Sequence, residues 1–395
     1  MELNPARWLD RPGIRRLLTA LDAEHGHARF VGGAVRDALL GLESQDLDLA
    51  TTHAPTDVIA RLENAGIKAV PTGIEHGTIT AVSSGTVVEV TTLRCDVSTD
   101  GRRATVAFTD DWQADAARRD FTINALYADP FTGEVHDYFG GEADIAARRL
   151  RFIGDPLQRI AEDHLRILRF FRFHARFGPV GPDAEPDAAG LDACTARAND
   201  LMALSRERIA DECLKLLGLA DPAPTVALMQ QRGIFAPVLP EIVSEAGAAI
   251  AALARAERAA AISAHALRRL AAILPRDPGL AEKIGARLKL SNKARKRLAA
   301  AADPALGGSP RALVYAIGTE GAEDRLLLAG DSAAAASISE WPVPRMPLTG
   351  GALIARGVAQ GPAVAKMLKV IEREWVAADF PTGAAFDTLV DAALA

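Results

Sequence analysis

Cysteine, aromatic side chains, long apolar runs and any surplus of positive charge are all scarce in this chain. Only three cysteines occur in 395 residues. Cys95, Cys194 and Cys213 stand far apart, in neither zinc-binding nor CxxC spacing, so a cysteine metal site is excluded and a reducing, cytoplasmic setting is expected. No uncharged apolar run reaches the roughly eighteen residues that a membrane span needs, so none is expected. The leading Met1–Asn4 runs into a charged stretch without an apolar core of signal-peptide length. Aromatic residues make up 5%, and 45 basic side chains face 51 acidic ones, a net charge of −6. Bulk charge therefore lends no support to nucleic-acid binding, which depends instead on where basic groups cluster. With 49% apolar and 24% charged residues the composition is near the globular average, which excludes disorder as the main state. At roughly 150 residues per domain the length suggests two to three domains.

The basic residues do cluster. Residues 148–176 carry eight arginines against three acids, and residues 287–297 carry six basic residues and no acid. Texture also changes near residue 150. Before it lie short runs rich in Val, Thr and Ile that read as strands: 28–31, 45–50, 77–82, 86–92 and 104–108. Helices are expected over 34–40 and 55–65. After residue 150 the strand signal stops. Residues 160–177 read as one long helix with apolar positions at 165, 167, 168, 170, 171 and 173, and 178–187 form a Pro/Gly break. The remainder is helix and loop, with ten alanines in residues 246–262, a composition that favours helix but specifies little else.

Four motifs carry chemistry. Residues 29–41 (RFVGGAVRDALLG) run from a strand through Gly32 and Gly33 into a helix, where glycine lets the backbone approach a phosphate and Arg36 can reach the same anion. A plain structural turn explains the glycines as well. Asp46 and Asp48 follow; on a strand they project from one face. Two carboxylates so placed repel unless they share a cation, and a pair of Mg²⁺ ions about 4 Å apart is the solution used in phosphoryl and nucleotidyl transfer. An Asp-rich turn or a lone Ca²⁺ loop is the alternative, though the Glu an EF-hand needs at its twelfth position is missing. Glu89, facing away from its neighbouring valines on the next strand, suits a third acid or a solvated edge residue. Arg118, Arg119, Asp120 and Asn124 suit triphosphate and ribose contacts through bidentate guanidinium bonds, or a helix cap with solvated arginines. Asp163 and Arg166 stand at i and i+3 of the expected helix. They form either a simple ion pair or a base reader. A carboxylate only accepts and a guanidinium only donates, so the pair matches the amino and ring-nitrogen edge of cytosine and adenine and opposes that of guanine and uracil.

Together the GGxVRDxLLG and DxDLA block, RRDFTINAL, EDxLRxLR and the stretch Ser205–Glu212 resemble the class II tRNA nucleotidyltransferases, the CCA-adding enzymes, whose relatives include bacterial poly(A) polymerases within the polymerase-beta-like superfamily. The resemblance spans about residues 28–220. It implies an α+β fold: a polymerase-beta-like head with a mixed sheet over 1–150, a base-recognising helical neck over 151–220, and an all-helical, tRNA-binding body and tail over 221–395. It implies that Asp46 and Asp48 hold catalytic Mg²⁺, that Gly32, Gly33, Arg36, Arg119, Asp120 and Asn124 serve the triphosphate, and that Asp163 and Arg166 read the base with Arg169 in support. Its partners would be tRNA, CTP and ATP, with no membrane and no protein partner evident. Residues 93–103 resemble the family's flexible loop, which argues against an enzyme adding only CC, and Pro71–Thr78 resembles the CCA-adding branch. A poly(A) polymerase, or an A-adding enzyme beside a separate CC-adding partner, would share the head motifs. His136 and Asp137, the one His-Asp pair, read as structural, and residues 288–297 suit either the tRNA backbone or a solvated helix start.

Overall fold

The computed structural model describes residues 3–44, 46–100, 103–179, 186–305 and 307–395, and of residues 96–100 and 103–106 the backbone only. The chain opens with α1 (Ala6–Leu9) and α2 (Ile14–Ala20), then β1 (Ala28–Val31), α3 (Gly33–Leu39), β2 (Leu47–Thr51) and α4 (Pro55–Asn64). There follow β3 (Lys68–Gly73), β4 (Thr78–Ser83), β5 (Thr86–Thr92), β6 (Arg94–Asp100), β7 (Arg103–Phe108), α5 (Trp112–Ala117), β8 (Leu126–Ala128), β9 (Val135–Asp137) and α6 (Gly141–Ala146). Seven strands make one mixed sheet in the order β3-β4-β5-β2-β1-β8-β9, with β6 and β7 as a separate hairpin. The β2–β5 pair is parallel; β1 pairs antiparallel with β2 and with β8.

Alternation along the strands decides what each face does. Phe30, Leu47, Leu49, Ile79, Ala81, Val88 and Val90 turn one way, onto a core with Trp8, Leu17, Leu18, Val58 and Leu62. On the opposite face, Val31, Ala50 and Tyr127 are covered by Ala116 and Trp112, whereas Val87 and Glu89 of β5 are exposed there. The chemistry therefore sits where the cover of the second face ends.

Several elements differ from the expectation. Strand β3 has no alternating pattern and contains Pro71, which an edge strand tolerates; its register with β4 shifts between Val70 and Gly73. The three-residue strands β8 and β9 are too short to show a period. Gln45, the expected start of a strand, lies outside the described residues, as do Val180–Glu185 of the Pro/Gly break and Gly101 and Arg102 of the loop resembling the family's. The single helix expected over 160–177 is two helices, α7 (Pro156–Glu162) and α8 (Arg166–Phe177), parted at Asp163, whose backbone is extended at φ −150° and ψ 104°. Asp163 Oδ1 accepts the Leu165 N–H at 3.1 Å. This is the side-chain competition with helix hydrogen bonding that Asp offers, and apolar periodicity cannot register it.

Compactness divides the chain into Met1–Leu204 with Arg232–Val238, and Ser205–Gln231 with Leu239–Ala395. Helix α8 lies in the first unit and buries Ile167, Leu168, Phe170, Phe171 and Phe173. Phe170 stacks on Phe152 at 5.6 Å and Phe173 meets Phe121 edge-on at 5.5 Å. The second unit is helical throughout its described residues. Its buried ion network joins Arg268 to Glu257 and Asp324, and Arg269 to Glu257; a second core gathers Leu353, Ile371, Trp375, Phe386 and Val390. No helix among the described residues is long and apolar enough to cross a membrane.

Candidate active site

Between β1 and α3 the chain turns at Gly32, with φ 66° and ψ −120°, a conformation that side chains disfavour. A Cβ at this position would also lie 3.3 Å from Arg119 Nη1 and 3.5 Å from the Asn124 carbonyl oxygen. The glycine turn and the RRD motif thus face each other closely enough to act on one ligand.

Asp46 and Asp48 bracket the buried Leu47 at the head of β2; Asp46 is exposed and Asp48 half-buried. Asp48 pairs directly with Glu89 in the parallel ladder. Burial pushes the Asp48 carboxyl up to about 6, with the charges of Glu89 and Asp46 adding and Arg119 opposing. Among the described residues no hydrogen bond or ion pair engages this carboxylate. A half-buried acid beside two others, with no direct cationic partner, fits an external cation. No group of three or more His, Cys, Asp or Glu placed to hold a metal ion occurs among the described residues; Glu89 flanks the aspartate pair from the neighbouring strand. One detail of the expectation is corrected: Val88 and Val90 face the core as anticipated, but Val87 shares the face of Glu89 and is 57% exposed, as the period of two requires.

The arginines are aimed by a residue that sequence reasoning passed over. Asp115, on α5, is buried at 1% exposure. Its Oδ1 accepts Arg118 Nε at 2.8 Å and Nη2 at 2.7 Å; its Oδ2 accepts Arg119 Nη2 at 3.0 Å and the Tyr127 hydroxyl at 2.6 Å. Burial alone would raise this acid, but the guanidiniums of Arg119 and Arg118 and the tyrosine hydroxyl outweigh it and hold the carboxyl near 2. The spacing Asp115, Arg118, Arg119, at i, i+3 and i+4 of a helix, was the signal available. Arg118 and Arg119 are therefore anchored, not solvated.

A second chain of buried contacts starts at Arg169, whose Nε donates to Asp120 Oδ2 at 2.8 Å. Asp120 Oδ1 accepts Asn124 Nδ2 at 3.0 Å. Asn124 Oδ1 in turn accepts Arg36 Nη1, and Arg36 Nε donates to Asp37 at 2.9 Å. Burial opposes the charge of Asp120, yet Arg169 and Asn124 bring its carboxyl below the usual range. Arg36 is 5% exposed and lies 4.2 Å from the Phe177 ring centroid.

The simple Asp163–Arg166 helical ion pair is also corrected. The carboxylate partner of Arg166 is Glu162, at 2.6 Å. Its Nη1 also donates to the Arg159 carbonyl oxygen at 2.8 Å and its Nη2 to that of Arg118 at 3.1 Å. With Asp163 in the break between α7 and α8, the two side chains leave different elements yet line the same cavity.

That cavity measures about 710 Å³. Gly32, Gly33, Arg36, Asp46, Asp48, Arg119, Asp120, Asn124, Asp163, Arg166 and Arg169 all line it, so every expected site residue but Glu89 meets there. Arg94, Arg118, Arg172 and Phe173 join them. Seven arginines against four aspartates leave a formal surplus of three positive charges, suited to a polyphosphate. The His136–Asp137 pair lies elsewhere: Asp137 collects the backbone N–H groups of Phe139, Gly140, Gly141 and Glu142, an anchor for the turn into α6.

Residues 28–151 match the family model of the "Poly A polymerase head domain" and residues 187–245 that of the "Probable RNA and SrmB- binding site of polymerase A". The mitochondrial CCA tRNA nucleotidyltransferase 1 of Mus musculus is 46% identical over 206 residues, 52% of this chain and 47% of that one. The CCA-adding enzyme of Geobacillus stearothermophilus is 38% identical over 217 residues, 54% of this chain and 51% of its own. The chain thus spans about half the length of the curated relatives it matches. Among solved structures, the Bacillus stearothermophilus CCA-adding enzyme in complex with CTP superposes with a TM-score of 0.73 at 26% identity, over 96% of this chain and 98% of that one. The Thermotoga maritima CCA-adding enzyme complexed with tRNA gives 0.69 at 20% identity over 97% and 95%, a likeness of fold.

Proposed function

We propose that this chain, whose residues 28–151 match the poly A polymerase head-domain model, adds C, C and A to the 3′ ends of tRNA, drawing on CTP and ATP. The observation that carries the proposal is the meeting of the Asp46–Asp48 pair with seven arginines and with Asp163 and Arg166 around one cavity. No nucleic-acid template is needed if the protein itself presents an acceptor and a donor to the incoming base.

The triphosphate would lie against Gly32, Gly33 and the arginines, with Arg119 aimed by Asp115 and Arg169 by Asp120. Asp46 and Asp48 would hold a divalent cation, taken as Mg²⁺, which when bound neutralises charge at the α-phosphate and activates the 3′ hydroxyl. Asp163 would accept from the amino group of cytosine or adenine. Arg166 would donate to the adjacent ring nitrogen. Three of its five N–H groups are engaged by Glu162 and two backbone carbonyls, so two remain for a base. Fixing the guanidinium by those three bonds makes it a stiff gauge, which is what discrimination between bases requires.

The second matched segment, 187–245, and the basic stretch 287–297 are the parts we assign to the RNA. A reducing compartment, the cytoplasm, suits the free cysteines, of which Cys194 and Cys213 are buried. The test is to incubate the protein with tRNAs ending at the discriminator base, at C or at CC, supply CTP and ATP separately and together, and sequence the products. One C, then a second, then a single A is expected. A long run of A on any RNA would instead make the chain a poly(A) polymerase, and addition of A to the CC end alone an A-adding enzyme.

A further inference from the structure

On α8 the residues 166, 169, 173 and 177 stand at i, i+3, i+7 and i+11, the spacing of one helical face. Arg166, at the start of the helix, is assigned to the base, and Arg169 is anchored on Asp120. Phe173 and Phe177, toward its end, lie against a different residue. The Arg36 guanidinium sits 5.3 Å from the Phe173 ring centroid and 4.2 Å from that of Phe177. Both rings are buried, and they stack on each other at 5.8 Å. Eleven steps of about 1.5 Å part Arg166 from Phe177, a span of about 16 Å.

Arg36 is held from several directions. Its Nε and Nη2 donate to Asp37 Oδ1 at 2.9 and 2.7 Å, and its Nη1 donates to Asn124 Oδ1. Among the described residues three of its five N–H groups are thus engaged, which leaves one on each terminal nitrogen, the pair that grips a phosphate bidentately. The guanidinium also folds back over the glycine turn: a Cβ on Gly33 would lie 3.6 Å from Arg36 Nη2. Burial works against its charge, with Asp37 opposing, and an aromatic face supplies attraction that water no longer does. A second tie joins the same two helices, from Arg176 Nη2 to Asp37 Oδ2 at 3.3 Å. Arg176 itself lies 4.8 Å from the Phe177 centroid.

The arginine at the glycine turn and the arginine that reads the base are therefore tied to opposite ends of one helix. We propose that Phe177 is a positioning residue: its ring, with Phe173 beside it, holds the Arg36 guanidinium over the glycine turn, and α8 thereby fixes the distance between the triphosphate and the groups that read the base. The inference rests on the nucleotidyl-transfer reading above. A base is measured against Asp163 and Arg166 only from the place its own phosphates take at Arg36. Slack at Phe177 loosens both tasks, because a triphosphate that shifts along the arginine cavity carries its base out of register, and misplacement by about 1 Å is costly.

The test uses the full chain and inorganic tripolyphosphate, a probe without a base, whose Kd is read by isothermal titration calorimetry. Phe177→Leu and Phe177→Met keep an apolar side chain and remove the ring, whereas Phe177→Tyr keeps the ring; thermal melting shows which variants fold, and either ringless one suffices. The ringless variants are expected to weaken tripolyphosphate about 3- to 30-fold, the range of one buried cation–π contact. Their preference for CTP over UTP, as a ratio of kcat/KM, is expected to fall with it, while Phe177→Tyr stays near wild type in both. Wild-type Kd values without the ring, or an equal loss in all three variants, would make Phe177 a packing residue and overturn the proposal. Weaker tripolyphosphate with an intact base preference would overturn the coupling through α8. A protein whose tripolyphosphate affinity depends on the ring yet which extends no RNA would reject the transfer reading and support the hold on Arg36.

Discussion

Replacing Asp115 by asparagine isolates what the buried carboxylate does for the arginines, because the shape is kept and only the charge goes. Holding a carboxyl near 2 against an ordinary 3.8 corresponds to about 2–3 kcal/mol of stability for the folded protein near neutral pH. The sign follows from the direction: a folded-state value below the unfolded one stabilises above the unfolded value and is lost as pH falls through the folded one. The gap between wild type and Asp115→Asn should therefore be about 2–3 kcal/mol at pH 7, roughly half that at about pH 3, and all but vanish below about pH 2. Urea unfolding followed by tryptophan fluorescence reads it, since Trp112 packs edge-on to Tyr127 at 5.3 Å, beside the site. The same variant loosens Arg119 and should raise KM for CTP and ATP. Equal stability at pH 7, or a gap that does not narrow below about pH 4, would refute the reasoning.

Asp48→Asn should lower transfer by about 10³-fold or more, the several kcal/mol that metal-assisted charge stabilisation supplies. It should leave tRNA affinity in a filter-binding assay nearly intact, and chelation of divalent cations should reproduce the loss in the wild type. Near-normal activity in the variant would remove Asp48 from the metal site. Asp163→Ala and Arg166→Ala should each relax discrimination against UTP and GTP by about 10- to 100-fold, one hydrogen bond to a charged partner, measured as ratios of kcat/KM. Unchanged ratios would detach these residues from base selection.

How much of the site was legible in the sequence is clearest from Asp46, Asp48 and Gly32. A period of two puts both acids on one face, and a glycine between strand and helix marks a turn where the backbone comes close to something; neither inference needs a partner from elsewhere. Apolar periodicity was less reliable. The rhythm at Ile167, Leu168, Phe170 and Phe171 correctly marks a helix, but it cannot see that Asp163 turns its side chain to the Leu165 N–H and stops the preceding one. Arg118 and Arg119 looked solvated because their partner, Asp115, takes up its role only once Tyr127 is folded against it.

Local order, then, was in the sequence: strand alternation, the glycine turn, the paired acids and the apolar face of α8 are all properties of neighbours along the chain. Tertiary structure alone decided which distant groups meet. The parallel pairing of β2 with β5 sets Glu89 beside Asp48, the Arg169–Asp120–Asn124–Arg36 chain joins elements far apart in sequence, and seven arginines gather with the carboxylates around one cavity. Those outcomes depend on long-range packing and burial, which turn weak, exposed charges into strong, directed ones, and no reading of adjacent residues contains them.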